Sequence, residues 1–282
     1  MRFFDRSADR AQVGLAHGPG IVDLARSHGD LIDYIEFPFE QLRHSPSLAA
    51  AQDVAPVVLH CASMSVAGFL PPSEETVAAI AAEAGRTQTP WIGEHLAFVS
   101  ADGLVEAGER DAPATTLTFT LCPQLSDETV ERVAQNLSWL APRFPVPIIL
   151  ENSPQYYAIP GSTMTLTEFV GNVSSRCDVD LLLDLTHLTI TGINTGADPF
   201  AELEKLPLER VVEIHVSGLS AQSGIAWDDH ATPAPDIVFA LLERALRRSR
   251  PRAVTIEYNW SQIPDSVLLA HLRKTRGILG VV

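Results

Sequence analysis

Cysteine is scarce in this chain of 282 residues, with only three in total. So small and odd a number excludes a disulfide-stapled scaffold, and no Cys-x-x-Cys spacing occurs. Basic residues are also few: Lys and Arg number 20 against 35 Asp and Glu, a formal net charge of -15. That average field repels DNA and RNA, so no nucleic-acid partner is expected. Long apolar runs are missing too. None approaches the ~18 residues of a membrane helix. The opening MRFFDRSADR carries charges where a secretion signal needs an apolar core. The expectation is a cytoplasmic protein without a membrane partner, with Cys61, Cys122 and Cys177 reduced. Several common motifs are absent. Gly192–Gly196 lacks the Gly-Lys ending of a P-loop, Gly218–Gln222 fails the last position of G-x-S-x-G, and Gly14–Gly20 is not a dinucleotide fingerprint. There is no internal repeat and no low-complexity block.

What remains is an ordinary globular composition, 46% hydrophobic and 20% charged, at a length that suits an α/β barrel of ~250 residues or more. Short β-rich runs alternate with longer helical patterns. The runs are Gln12–Ala16, Leu31–Glu36, Val57–His60, Trp91–Glu94, Pro147–Glu151, Asp180–Asp184, Val211–His215 and Ala253–Glu257. Continuous apolar stretches such as PIIL and LLLD suit strands buried on both faces of a parallel sheet. Among the helical segments, Ser126–Leu140 places Val130, Val133, Ala134, Leu137 and Leu140 on one face. Thr165 and Glu168 spell a capping box. Asp236–Arg248 is expected to turn Ile237, Leu241, Leu242 and Ala245 inward, and Pro264 precedes a last helix over Asp265–Lys274. Leu96–Thr116 reads as a hairpin or loop insertion, and Phe37–Val54 as an elaborated loop. Eight strands alternating with helices predict a single (β/α)8 TIM-barrel domain over residues 1–282, of the xylose-isomerase-like kind.

In such a barrel, chemistry sits where strands end. The first strand ends at His17 and the second at Glu36, with Glu40 beyond. The others end at His60, Glu94–His95, Glu151–Asn152, Asp184 with His187, His215 with Asp228 and His230 in its loop, and Glu257. Six of the nine histidines belong to this set, leaving His28, His44 and His271 outside it. Imidazoles and carboxylates converging in a barrel mouth are costly unless cations balance them. Without thiolates the donors suit non-heme Fe, Mn or Zn. Their number exceeds what one metal takes, so two or three metals are expected, with Glu151 as a natural bridge. Singly, each residue has a bland reading: a strand-end His as a hydrogen bonder, Glu94 as an ion-pair partner, Asp228–His230 as a solvated loop. Tyr156–Tyr157 either line a cleft or pack.

At these residues the sequence resembles the multinuclear non-heme iron-dependent oxidative enzymes, the group that includes the iron enzyme of methanobactin biosynthesis. The segments are VVLHCASMSV, IGEHLAFVS, IILENSPQYY, LLLDLTHLTITGINTGADPF and VVEIHVSG, extended by WDDH, TIEYNW and VGLAH. The resemblance implies a TIM barrel holding two or three irons as mixed Fe(II)/Fe(III), with O2 as co-substrate. It further implies oxidative modification of a residue, above all Cys, in a ribosomally made precursor peptide that a leader-binding partner protein presents. Carried over by motif, His60, His95, Glu151, Asp184, His187, His215, Asp228, His230 and Glu257 would be the iron ligands. Asp228, as ligand or base, and Glu94 and Asn152, as supporting or substrate-facing groups, would act in catalysis. The chain departs from the family pattern at Thr186–His187, at Leu219 and at Pro38–Gln41, where only Glu40 is kept. A Zn or Mn sugar isomerase or hydrolase on the same barrel would use the same donor types, and a non-catalytic binding module would keep the barrel alone.

Overall fold

Residues that alternate between two buried surfaces build the centre of the molecule. In the computed structural model, residues 2–5, 7–42, 48–101, 115–258 and 263–280 are described. Eight parallel strands close a barrel in the order β1-β12-β9-β8-β7-β4-β3-β2. These are β1 (Gln12–Ala16), β2 (Tyr34–Pro38), β3 (Val57–Cys61), β4 (Ile92–His95), β7 (Ile148–Glu151), β8 (Leu181–Asp184), β9 (Val211–Ser217) and β12 (Ala253–Glu257). Two short antiparallel pairs lie outside it: β5 (Phe98–Ala101) with β6 (Thr115–Leu121), and β10 (Ser220–Gln222) with β11 (Ile225–Trp227). The helices are α1 (Ile21–Ser27), α2 (Phe39–Leu42), α3 (Leu48–Val54), α4 (Glu74–Thr87), α5 (Asp127–Leu140), α6 (Leu166–Cys177), α7 (Leu185–Thr195), α8 (Pro199–Leu203), α9 (Asp236–Ala245) and α10 (Asp265–Leu279).

Because strand side chains alternate, each barrel strand serves two cores. Val13, Leu15, Ile35, Phe37, Leu59, Ile214 and Val254 pack outward against the helices in the main core. Phe4, Tyr34, Val58, Trp91, Ile149, Leu182 and Ala253 form a second cluster that fills the lower barrel. Two residues further along the same inward faces come Glu36, His60, Glu151, Asp184 and Thr255, and the register sets His95 beside Glu151 and Asp184 beside His215. One inward stripe therefore runs from apolar at the bottom to ionisable at the top.

The expected barrel is present, with small shifts at its edges. The second strand begins at Tyr34 rather than Leu31, and β4 runs on to His95. The insertion after β4 is the hairpin of β5 and β6, and its tip lies outside the described residues, as do His44 and Pro46. Helix α5 buries all five expected positions, and the capping box on α6 is complete. Helix α9 differs: it ends at Ala245, so Arg247 and Arg248 lie in the following turns, and Ile237 is 37% exposed. Ile237 lies on the flank of the helix, because the buried face is the one that carries Val238, Leu241, Leu242 and Ala245. Helix α10 continues past Lys274 to Leu279.

Candidate metal centre

Glu151, the last residue of β7, stands at the middle of the barrel mouth and is 1% exposed. Its Oε2 lies 3.3 Å from His60 Nε2 and 3.2 Å from His95 Nε2. Its Oε1 lies 3.4 Å from His187 Nδ1 and 3.6 Å from His215 Nδ1. None of these approaches has hydrogen-bond geometry, so both carboxylate oxygens are buried without a hydrogen-bond partner. Asp184 Oδ2, Asp228 Oδ1, His60 Nδ1 and His230 Nδ1 are in the same state. All six orphan atoms belong to imidazoles or carboxylates of the barrel mouth, with Asp228 and His230 paired at its rim.

The backbone has fixed which nitrogen most of these rings offer. Cys61 O, at the end of β3, accepts from His95 Nδ1 at 3.2 Å and leaves Nε2 for Glu151. Asn152 O accepts from His187 Nδ1 at 2.8 Å and leaves Nε2 pointing at Asp228 Oδ2, 2.9 Å away. Such outer contacts set the tautomer of a metal-binding imidazole. His230 Nε2 lies 3.3 Å from the same Asp228 oxygen and 3.8 Å from Glu257 Oε1. His215 Nδ1 lies 3.1 Å from Glu257 Oε2, and its Nε2 lies 2.9 Å from Glu36 Oε2.

Local structure places the remaining residues. Asp184 ends β8 and caps α7 at once, its Oδ1 accepting from His187 N at 2.7 Å, which brings His187 onto the mouth one helical turn later. Asn152 ties β7 to β8 by exchanging two hydrogen bonds with the Asp184 backbone, both 2.9 Å. Glu94 faces away from the cluster. Its oxygens accept from Met64 N at 3.0 Å and His95 N at 2.9 Å, so it holds the loop after β3 against β4. Glu40 holds the same loop by accepting from Ala62 N and Ser63 Oγ. His17 sits apart, its ring 3.9 Å from that of Phe37 and its Nδ1 3.1 Å from Gln41 Oε1. The loop carrying Asp228 and His230 is packed on β9 so closely that a Cβ on Gly218 would stand 1.6 Å from Thr232 O. His230 itself takes a left-handed backbone, φ 52°, the kind of strain that persists only where the surroundings impose it.

Sequence reasoning passed over Glu213. Glu213 is fully buried below His215 and accepts from Tyr34 Oη at 3.2 Å, Thr255 Oγ1 at 2.7 Å and Trp91 Nε1 at 2.7 Å. Its signal was the period of two, since it shares the inward face with His215. Tyr156, expected either to line a cleft or to pack, stacks on Trp227, ring centroids 4.6 Å apart, at the rim beside Asp228, a pairing between distant loops that no local pattern announces.

The electrostatics are those of a dense cluster of carboxylates and imidazoles that shift one another. Burial alone would push His60 and His230 down, but Glu151 for the first and Asp228 for the second outweigh it, and both are raised to about 10. His187 and His215 are likewise raised, against burial, by their carboxylates. Glu151 is held well below the ordinary carboxylate range by His95, His187 and His60, despite burial. Burial dominates at Glu36, pushed up to about 7, and at Asp184, pushed up to about 6.

Three groups bring their donor atoms within 4.8 Å of one another: His60, His95 and Glu151; Glu151, Asp184, His215 and Glu257; and Glu36, His60 and His215. His187, Asp228 and His230 adjoin the second of these. The orphan carboxylate oxygens, the preset tautomers and the all-imidazole-and-carboxylate donor set fit bound metal ions of the Fe, Mn or Zn kind.

A closed parallel barrel with this mouth defines a xylose-isomerase-like TIM barrel. Solved structures agree at the level of fold. The chain is similar to 3-keto-D-glucoside 4-epimerase from E. coli in its apo form, with TM-score 0.59, 14% identity and coverage of 95% of this chain and 100% of that one. It is also similar to a xylose isomerase domain protein from Planctomyces limnophilus, with TM-score 0.56, 17% identity and coverage of 95% and 97%. The chain belongs to the family of RiPP precursor modification enzymes MbnB/TglH/ChrH, whose match runs over residues 13–279. Its relatives include a UPF0276 protein of Streptomyces avermitilis, 30% identical over 250 residues. That match covers 87% of this chain and half of that longer protein. A UPF0276 protein of Caulobacter vibrioides is 28% identical over 255 residues, which is 89% of this chain and 87% of the relative.

Proposed function

We propose that this protein is a multinuclear non-heme iron enzyme, with two or three irons and O2 as co-substrate. Its reaction oxidatively modifies a cysteine of a ribosomally made precursor peptide. The chain works as one barrel domain in the cytoplasm, and a partner protein presents the leader of the peptide. The observation that carries the reading is Glu151: one fully buried carboxylate, both oxygens unpartnered, faced by four imidazoles. Family membership supplies the substrate class.

His60, His95 and Glu151 would hold one metal, Glu151, Asp184, His215 and Glu257 a second, and His187, Asp228 and His230 a third, with Glu151 shared. Bound iron would supply electron transfer with O2 and lower the pKa of a substrate thiol. The chain's own work is placement. Cys61 O and Asn152 O turn His95 and His187, Asn152 locks β7 to β8, and Glu94 keeps the β3 loop closed over His95. Asp228 Oδ1 is the atom left to ligate or to accept a proton from the substrate. The acidic chain suits a basic leader or partner.

The test is O2 uptake by anaerobically purified, Fe(II)-loaded protein, given a cysteine-containing precursor peptide and the serine version of that peptide. Consumption that needs both iron and the cysteine is expected. Protein that retains only Zn or Mn and turns over a ketose without air would establish the isomerase reading instead.

A further inference from the structure

We infer that Glu36 is a positioning residue: its carboxylate accepts the Nε2 hydrogen of His215 and thereby makes Nδ1 the metal-binding nitrogen of that ring. The inference deepens the metal-centre reading above and rests on it. Glu36 is inward-facing on β2, three strands round the barrel from β9, and 1% exposed. Its Oε2 is 2.9 Å from His215 Nε2. The other nitrogen of the ring looks the opposite way, 3.1 Å from Glu257 Oε2 and 3.6 Å from Glu151 Oε1.

An imidazole that ligates through Nδ1 carries its proton on Nε2, and inside a barrel that N–H needs an acceptor. Two carboxylates stand near it. Glu213 Oε1 is 3.8 Å away, beyond hydrogen-bond reach, and is already taken by Tyr34 and Thr255, while Trp91 holds the other Glu213 oxygen. Glu36 is the one within reach. The Glu213 network forms a satisfied floor beneath the ring, so His215 is gripped from below and from the side while Nδ1 faces the mouth. The arrangement repeats, with a carboxylate in place of a carbonyl, what Cys61 O does for His95 and Asn152 O does for His187.

The competing assignment makes Glu36 itself a ligand, because Glu36, His60 and His215 also bring donor atoms within 4.8 Å. His60 would then be shared between Glu36 and Glu151, whose Oε2 lies 3.3 Å from its Nε2. The experiment loads the full chain with Co(II) under anaerobic conditions. It reads metal content per chain, affinity and the visible ligand-field bands for the wild type, Glu36→Gln and Glu36→Leu. Glutamine keeps an oxygen that accepts from Nε2, whereas leucine keeps only the bulk. Positioning predicts unchanged metal content with shifted bands in Glu36→Gln, and on the order of 10–100-fold weaker binding at one site in Glu36→Leu. If Glu36→Leu does not fold, the glutamine variant alone decides. Loss of one whole equivalent in Glu36→Gln would mean that Glu36 is a ligand and overturn the inference, as would bands and affinity identical to wild type. A wild type that takes up no Co(II) would overturn the metal-centre reading first, and this inference with it.

Discussion

Gly93 measures how little space the centre leaves at the scale of one residue. It occupies the inward position of β4 opposite His60, and a Cβ there would stand 2.6 Å from His60 Nδ1 and 3.0 Å from Leu182. Gly93→Ala must therefore displace the His60 ring, whose Nε2 lies 3.3 Å from Glu151 Oε2. Metal titration should show binding weakened by on the order of 10–100-fold, with the fold intact by circular dichroism. Binding equal to wild type would remove His60 from the ligand set. The histidines also impose a pH dependence. His60 and His230, raised to about 10 by their carboxylate neighbours, carry protons at neutral pH before metal arrives. A metal has to displace those protons, so apparent affinity should climb from about pH 6 to about pH 9, and loading at pH 7 should release protons into a weak buffer. Affinity that is flat over this range would contradict the electrostatics described. Raised imidazoles stabilise the metal-free fold in their protonated form. That stability is present at low pH and lost as pH rises through about 10, opposite in sign to the gain in metal binding.

At the scale of elements, most of the site was legible because strand alternation and strand ends leave a written trace. LLLD, IILE and VVEIH each end in the residue that the barrel delivers to its mouth. Glu213 was not singled out, since it lies mid-strand where a charged residue looks like a solvent-facing one, and only closure of the barrel buries it. The orienting carbonyls of Cys61 and Asn152 were illegible in principle, because every residue has a carbonyl and only tertiary structure aims it. Ile237 misled for a related reason: apolar residues at both 237 and 238 fit a stripe with Leu241 and Leu242, and only packing puts Val238 rather than Ile237 on the buried face. Caps, by contrast, are local and were readable. Thr165 on α6 accepts from Glu168 N while Glu168 Oε2 accepts from Thr165 N at 2.8 Å. Thr165→Ala should destabilise the protein by about 1 kcal/mol in chemical denaturation and leave metal content untouched, because α6 contributes no donor. A fall in metal content would show that the barrel wall and the centre are coupled more tightly than the contacts indicate.

Across the whole molecule, one architectural fact organises the chemistry. Eight strands run the same way, so everything that follows a strand gathers at one end, and the inward stripe changes from Tyr34, Val58, Ile149 and Leu182 to Glu36, His60, Glu151 and Asp184 within two residues. Below lies a closed, mainly apolar layer in which Glu213 is held by Tyr34, Trp91 and Thr255. Above it stand carboxylates and imidazoles whose charges are balanced in the metal-free chain by protons on rings such as His60 and His230, the protons that a metal would displace. The most direct check is anomalous diffraction at the iron edge from crystals grown with Fe(II) under anaerobic conditions. The account predicts at least two iron peaks touching Glu151, with His60 and His95 on one side and Asp184, His215 and Glu257 on the other. A map with no iron peak at Glu151, or a single one that bypasses it, would contradict it.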